Sequence, residues 1–127
     1  MRQSGILLHI TSLPGPEGIG TMGKEAYQFA DFLKAADMAI WQVLPISPTG
    51  YGESPYQSFS TYAGNPLLID LALLVEEGLL KPEQQAAQPN RQDSVDYVAV
   101  IAHKEKRLRE AFAAAQSKLD DEIAAFV

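Results

Sequence analysis

The sequence predicts an α/β protein: one strand–helix–strand unit with parallel strands, then a largely helical stretch. Three observations lead there. Two short apolar runs, GILLHI at 5–10 and AIWQVLPI at 39–46, each give way to a proline-rich loop. Between them, 24–37 repeats its apolar residues at helical spacing. Beyond Pro66 the apolar spacing is helical throughout.

The run 5–10 reads as a buried strand, ended by Thr-Ser-Leu-Pro-Gly-Pro. In the helix, Ala26, Phe29, Ala30, Leu33 and Ala36 form one stripe, leaving Lys24, Asp31 and Lys34 for water. The run 39–46 reads as a second buried strand, stopped by Pro45 and Pro48. Strand, helix, strand over so short a distance is a βαβ unit, whose strands are normally parallel. The loops 11–23 and 47–66 then leave from the carboxyl ends of the strands, where parallel α/β proteins bind ligands.

After Pro66, LLIDLALLVEEG reads as a helix stopped by Gly78. Lys81-Pro82-Glu83 opens a further short helix with proline in its first turn. QPNRQDS at 88–94 is a polar connector. From Val98 to Ala115, Ile101, Leu108 and Phe112 mark an apolar side, flanked by Lys104, Lys106, Arg107, Arg109 and Glu110. SKLDDEIAAFV reads as a last helix. Two parallel strands alone leave unpaired N–H and C=O groups on both edges. The expectation is therefore a piece of a longer protein, or a second chain that supplies strands.

At 127 residues the chain is one ordinary domain, able to bury roughly two-thirds of its unfolded surface. A formal charge of −6 argues against nucleic acid or an anionic membrane as partner. The absence of cysteine removes disulfides, thiolate metal sites and a cysteine nucleophile, and fits a reducing compartment. The apolar run near the start is too short for a signal-peptide core, and no run approaches the ~20 residues of a membrane span. The expected location is the cytoplasm.

Several chemistries are weighed and set aside. Gly18, Gly20 and Gly23 spell G-x-G-x-x-G between a strand and a helix. In the dinucleotide pattern, however, the glycines follow the strand at once, and an acidic residue ends the second strand. Here TSLPGPE intervenes, and Ile46 and Ser47 stand where the acid belongs. The overlapping phosphate-loop spacing has Glu25 where Ser or Thr should reach magnesium. These glycines are read as serving a tight entry into the helix. His9 is read as a satisfied core histidine and His103 as solvated. Neither forms a metal-ligand pattern, and no serine has a nucleophile elbow.

The stretch YGESPYQSFSTYAGNP, 51–66, carries the functional signal. Pro48, Pro55 and Pro66 lower the entropy lost on ordering the loop, and Gly50, Gly52 and Gly64 allow sharp turns. Tyr51, Tyr56 and Tyr62 offer flat apolar faces, while Ser54, Gln57 and Asn65 offer compact hydrogen-bonding groups. That combination suits a sugar ring, with C–H faces for the aromatics and hydroxyls for the polar groups. The same aromatics could instead pin the loop to the core. The pinning role is preferred for Phe59 and Tyr62, and the sugar role for Tyr56 and Ser54.

Three segments, SGILLHITSLPGPEGIG, WQVLPISPTGYGESPYQSFSTYAGNPLLID and VDYVAVIAHKEKRLREAF, resemble the 4-alpha-glucanotransferases of glycoside hydrolase family 77, the amylomaltases or disproportionating enzymes. The resemblance implies the first two βα units of a (β/α)8 barrel, incomplete as it stands. Residues 1–66 would start the catalytic barrel and hold the substrate-binding loop 47–66; residues 67–127 would be a helical insertion beside the cleft. It implies transfer of α-1,4-glucan segments between maltodextrins by a retaining mechanism, with two carboxyl groups about 5 Å apart. The family draws those carboxylates from later strands, so no catalytic residue is assigned in this chain, and Glu17, Glu53 and Asp70 are not given that role. Carried over by motif, Tyr56 packs beside the sugar at the cleavage site, Ser54 bonds a donor-chain hydroxyl, and Tyr51 stacks on glucan further out. No metal or cofactor is implied. The implied partners are α-1,4-glucan oligosaccharides, with the rest of the barrel, or a second copy, covering the strand edges. Glu53, Ile10 and the pair Thr21-Met22 depart from the family's usual residues. A stand-alone glycan-binding module is the alternative reading of the same loop.

Overall fold

The structure is a computed structural model that describes residues 2–87, 93–116 and 120–126. Strand β1 (Gly5–Leu7) and strand β2 (Ile40–Gln42) pair in parallel, Gly5 opposite Ile40, Ile6 opposite Trp41 and Leu7 opposite Gln42. Helix α1 (Lys24–Ala35) joins them. Their side chains alternate: Ile6 and Trp41 are half-buried, while their neighbours on each strand are exposed. On the α1 side, Phe29 meets the Trp41 ring edge-on at 4.9 Å. Around them Ile10, Leu13 and Leu68 form a cluster with Leu8, Ala26, Phe29 and Trp41. The Trp41 indole donates to the Leu8 carbonyl at 2.7 Å, so its polar edge costs nothing on burial.

The strands are not buried as the sequence suggests. Leu7 is 58% exposed and Ile40 45%, because the described residues cover only one face of this sheet. The α1 stripe is narrower than expected as well. Leu33 is buried and Ala26 and Phe29 are half-buried, but Ala30 and Ala36 face water. The helix ends with Asp37 at φ 56°, the Met38 N–H bonded back to Leu33 and the Asp37 N–H to Lys34. This is the left-handed end usually given to glycine.

Past a 3-10 turn at Pro66–Leu68 come helix α2 (Leu71–Glu76), a second 3-10 turn at Pro82–Gln84, helix α3 (Tyr97–Ala115) and helix α4 (Asp120–Phe126). Asp70 caps α2 by accepting from the Leu73 N–H, and Asp96 caps α3 by accepting from Ala99. Gly78, at φ 74°, closes α2 as expected, with Leu79 bonded to Leu74 and Gly78 to Val75. Most of the polar connector, 88–92, lies outside the described residues.

Helix α3 turns a different face inward from the one its large apolar residues suggest. Val100, Lys104, Ala111 and Ala115 are buried, and Phe112 is 59% exposed. Ala111 lies against Leu71 and Leu80, and Val100 against Ile19 and Leu67. Small residues let the helix approach closely, and the inward direction is set by Lys104, whose partners lie in the core.

Candidate functional site

Both long loops leave the carboxyl ends of the strands. The first crosses a 3-10 turn at Ile10–Ser12 and folds back, with Gly20 N–H bonded to the Thr11 carbonyl at 3.0 Å. Its glycines answer backbone demands. Gly18 sits at φ 74°, and a Cβ at position 20 would fall 1.9 Å from the Ile10 carbonyl oxygen. At position 23 a Cβ would fall 1.9 Å from an Asp70 carboxylate oxygen. That carboxylate stands at the N-terminal cap of α1, where a nucleotide phosphate would have to sit, so the setting aside of nucleotide binding holds for a stronger reason than spacing.

The second loop is braced by short polar contacts. Thr49 and Ser58 form an antiparallel bridge, and the Gly50 N–H donates to the Gln57 carbonyl at 2.8 Å. The Thr49 hydroxyl donates to the Glu53 carboxylate, and the Ser58 hydroxyl to the Ser60 carbonyl at 2.8 Å. Gly52 and Glu53 take φ of 75° and 54°; left-handed backbone at a non-glycine residue is strain that such contacts must hold. Ser54 is half-buried, its hydroxyl oxygen accepting from the Tyr56 N–H at 3.3 Å. Tyr56 is 72% exposed. The Tyr51 side chain lies outside the described residues.

Phe59 and Tyr62 do not pin this loop, being 88% and 100% exposed. The bridge and hydroxyl contacts hold it in their place. Its far foot is firm: Asn65 caps the turn by accepting from the Leu67 N–H at 3.0 Å, and Leu67 and Leu68 are buried. A concave region of about 720 Å³ lies elsewhere, between Thr11–Ile19 and Asp93–Val95, and neither Ser54 nor Tyr56 lines it.

Beneath the loops is a polar cluster the sequence did not reveal. Glu17, Thr21, Asp70 and Lys104 are all buried, Lys104 completely. The Lys104 ammonium bonds the Glu17 carboxylate and the Ile69 carbonyl. The second Glu17 oxygen accepts from the Leu71 N–H at 2.8 Å. Asp70 accepts from the Thr21 hydroxyl at 2.6 Å. Burial raises the Glu17 pKa and lowers that of Lys104; their attraction opposes both shifts. The sequence places Lys104 on the flank of an apolar side, and the structure buries it. A lysine among polar neighbours carries no sequence sign of burial.

The histidines also depart from expectation. His9 lies just past β1, half-buried, and its Nδ1 is buried with no hydrogen-bond partner among the described residues. Desolvation lowers its pKa. His103 is half-buried rather than solvated, with Nε2 3.1 Å from the Gln85 carbonyl. Among the described residues no cluster of three His, Asp or Glu side chains could hold a metal, and no helix is long and apolar enough to cross a membrane.

Two parallel strands, a connecting helix and two long loops at the carboxyl ends define a parallel α/β protein, with its loops at the end where proteins of this class bind ligands. The family model for 4-alpha-glucanotransferase matches residues 8–127, and the chain belongs to that family, glycoside hydrolase family 77. It is 51% identical over 121 residues to the 4-alpha-glucanotransferase of Thermus thermophilus, covering 95% of this chain and 24% of that protein. The 4-alpha-glucanotransferase of a Synechocystis species is 49% identical over 120 residues, covering 94% and 24%. The structure of an amylomaltase from Streptococcus agalactiae in complex with acarbose superposes with a TM-score of 0.92 at 41% identity, covering 99% of this chain and 26% of that one. The chain thus spans about a quarter of the length of the relatives it matches.

Proposed function

We propose that this chain forms the substrate-binding wall of a cytoplasmic 4-alpha-glucanotransferase, which moves α-1,4-glucan segments between maltodextrins by a retaining double displacement. The strand–helix–strand unit is then the opening of a (β/α)8 barrel, and residues 67–127 are a helical insertion beside its cleft. The carboxylates that do the chemistry come from later strands. Glu17 and Asp70 are unsuited to that work, being buried and already bonded to backbone and side-chain groups.

The observation that carries the reading is the state of Tyr56. Its ring is largely free, on a loop whose other contacts are internally satisfied and which leaves the carboxyl end of a parallel strand. An exposed ring on a braced loop presents a flat apolar face without a large ordering cost. Ser54, two residues away, sets the angle of that segment through the Tyr56 N–H, and its hydroxyl proton remains for a sugar oxygen. Tyr51 is assigned to glucan further from the cleavage point.

The test uses the complete protein and maltotriose. It should release glucose and longer maltodextrins. Replacing both Tyr56 and Ser54 by alanine should lower kcat/KM at least on the order of a hundredfold, or ~2.7 kcal/mol of transition-state stabilisation. Unchanged disproportionation in that variant would refute the role of this loop. Binding of maltodextrin with no conversion would favour a glycan-binding module instead.

A further inference from the structure

The cluster under the two loops is buried, and every member touches a loop foot. We propose that Lys104 of α3 is the positioning residue of the glucan-binding wall, holding the feet of both loops through Glu17 and the Ile69 carbonyl. This rests on the reading of loop 47–66 as that wall.

The geometry argues it in three steps. First, Glu17 belongs to the loop after β1, and Ile69 lies just past the end of the loop after β2. Lys104 reaches both from a third element, so one ammonium group ties together segments distant in sequence. Second, the same two feet are stitched to each other directly. Met22 N–H donates to the Leu68 carbonyl at 2.9 Å, Thr21 to Asp70 at 2.6 Å, and Leu71 N–H to Glu17 at 2.8 Å. Gly23 admits the Asp70 carboxylate where any side chain would collide with it.

Third, a fully buried lysine is a poor way to gain stability. Apolar residues of similar volume would serve as well or better. Directional bonds give register in exchange, which an apolar contact does not. The register fixed here lies four residues beyond Asn65, the cap that ends the sugar loop. A sliding foot would shift Ser54 and Tyr56 together. A small displacement of a binding group is enough to weaken its hold on the substrate.

The experiment uses the complete protein. Lys104→Met removes the charge and donors while keeping the length of the stem. Leu33→Ala, in the buried face of α1 away from the cluster, supplies a variant destabilised by packing alone. Both are assayed well below their melting temperatures. Lys104→Met should raise the maltotriose KM on the order of tenfold with little change in kcat. It should also speed chymotryptic cleavage at Tyr56, Phe59 or Tyr62, while Leu33→Ala leaves KM and cleavage rate near wild type. If Lys104→Met does not fold, Glu17→Gln is measured in its place and read in the same way. A charge-removing variant with wild-type KM and cleavage rate overturns the proposal, as does a matching change in Leu33→Ala. A wild-type protein that leaves maltotriose intact refutes the sugar reading instead, and the cleavage comparison still decides whether Lys104 holds the loop.

Discussion

Glu17 and Lys104 together make a buried ion pair whose members each resist ionisation. Burial raises the Glu17 pKa, so the folded state keeps a proton that the unfolded chain releases, and stability falls as pH rises from about 4.3 toward the raised value. Burial lowers the Lys104 pKa, so stability falls as pH drops from about 10.4 toward the lowered value. Lys104→Met removes the attraction and hydrogen bond that restrain the Glu17 shift, so the Glu17 pKa rises further. The variant's deficit should then grow from acid to neutral pH, reaching about 3–5 kcal/mol, the cost of an uncompensated buried charge. Urea unfolding of the complete protein at pH 4.5 and 7.5 measures this, and a deficit equal at both would mean that Glu17 does not ionise there. Gly20 is simpler. Its place against the Ile10 carbonyl leaves no room for a methyl group, so Gly20→Ala should cost about 1–3 kcal/mol through backbone displacement, seen as a lower melting temperature. Neither effect was legible in the sequence. Polar residues spread over positions 17, 70 and 104 declare no partnership until tertiary packing joins them, and glycine reads as a turn when its role is close approach.

The elements themselves were largely legible. The parallel strand–helix–strand unit follows from apolar period and proline stops, and the end of α2 at Gly78 follows from glycine's freedom at positive φ. What escaped was which face each element buries. In α3, Phe112 outranks Ala111 and Ala115 in hydrophobicity, yet the alanines face inward, on the side where Lys104 meets its buried partners and Ala111 meets Leu71 and Leu80. In the second loop, Phe59 and Tyr62 outrank Thr49 and Ser58 in burial tendency, yet backbone pairing of the smaller residues holds the loop. Of the residues chosen from the motif, Tyr56 is exposed and Ser54 half-buried, whereas the buried cluster of Glu17, Thr21, Asp70 and Lys104 left no sign in the sequence. Helix ends give a direct test. Asp37 takes the left-handed position that closes α1, at φ 56°, against the preference of any residue with a Cβ. Asp37→Gly should stabilise the complete protein by about 0.5–1 kcal/mol, read from the urea midpoint, despite glycine's greater freedom when unfolded. A loss of stability would mean that the aspartate side chain contributes more than its backbone costs.

At the scale of the molecule, the sheet poses a question that its own residues cannot answer. One face carries α1. The other presents Leu7 at 58% exposure and Ile40 at 45%, with Val43 and Ile46 exposed beyond them. Among the described residues each strand has a single neighbour, so both offer unpaired backbone groups along one side. Large aliphatic residues on a strand face that water covers gain nothing from their size, whereas the inner face of a closed barrel calls for such residues. If the barrel reading is right, these positions are core positions that this quarter of the protein leaves bare. Leu7→Ala decides it. On an exposed surface the change would alter stability by less than about 0.5 kcal/mol. Inside a packed barrel it should cost about 2–5 kcal/mol, by lost transfer energy and a residual cavity. Denaturant unfolding of the complete protein should show the larger cost. The 127-residue chain alone should associate with itself in sedimentation, in proportion to concentration, because a bare sheet edge and an apolar face recruit whatever copy is near. A neutral Leu7→Ala in the complete protein would show that the exposed face stays in water, and the strands would then belong to some architecture other than a barrel.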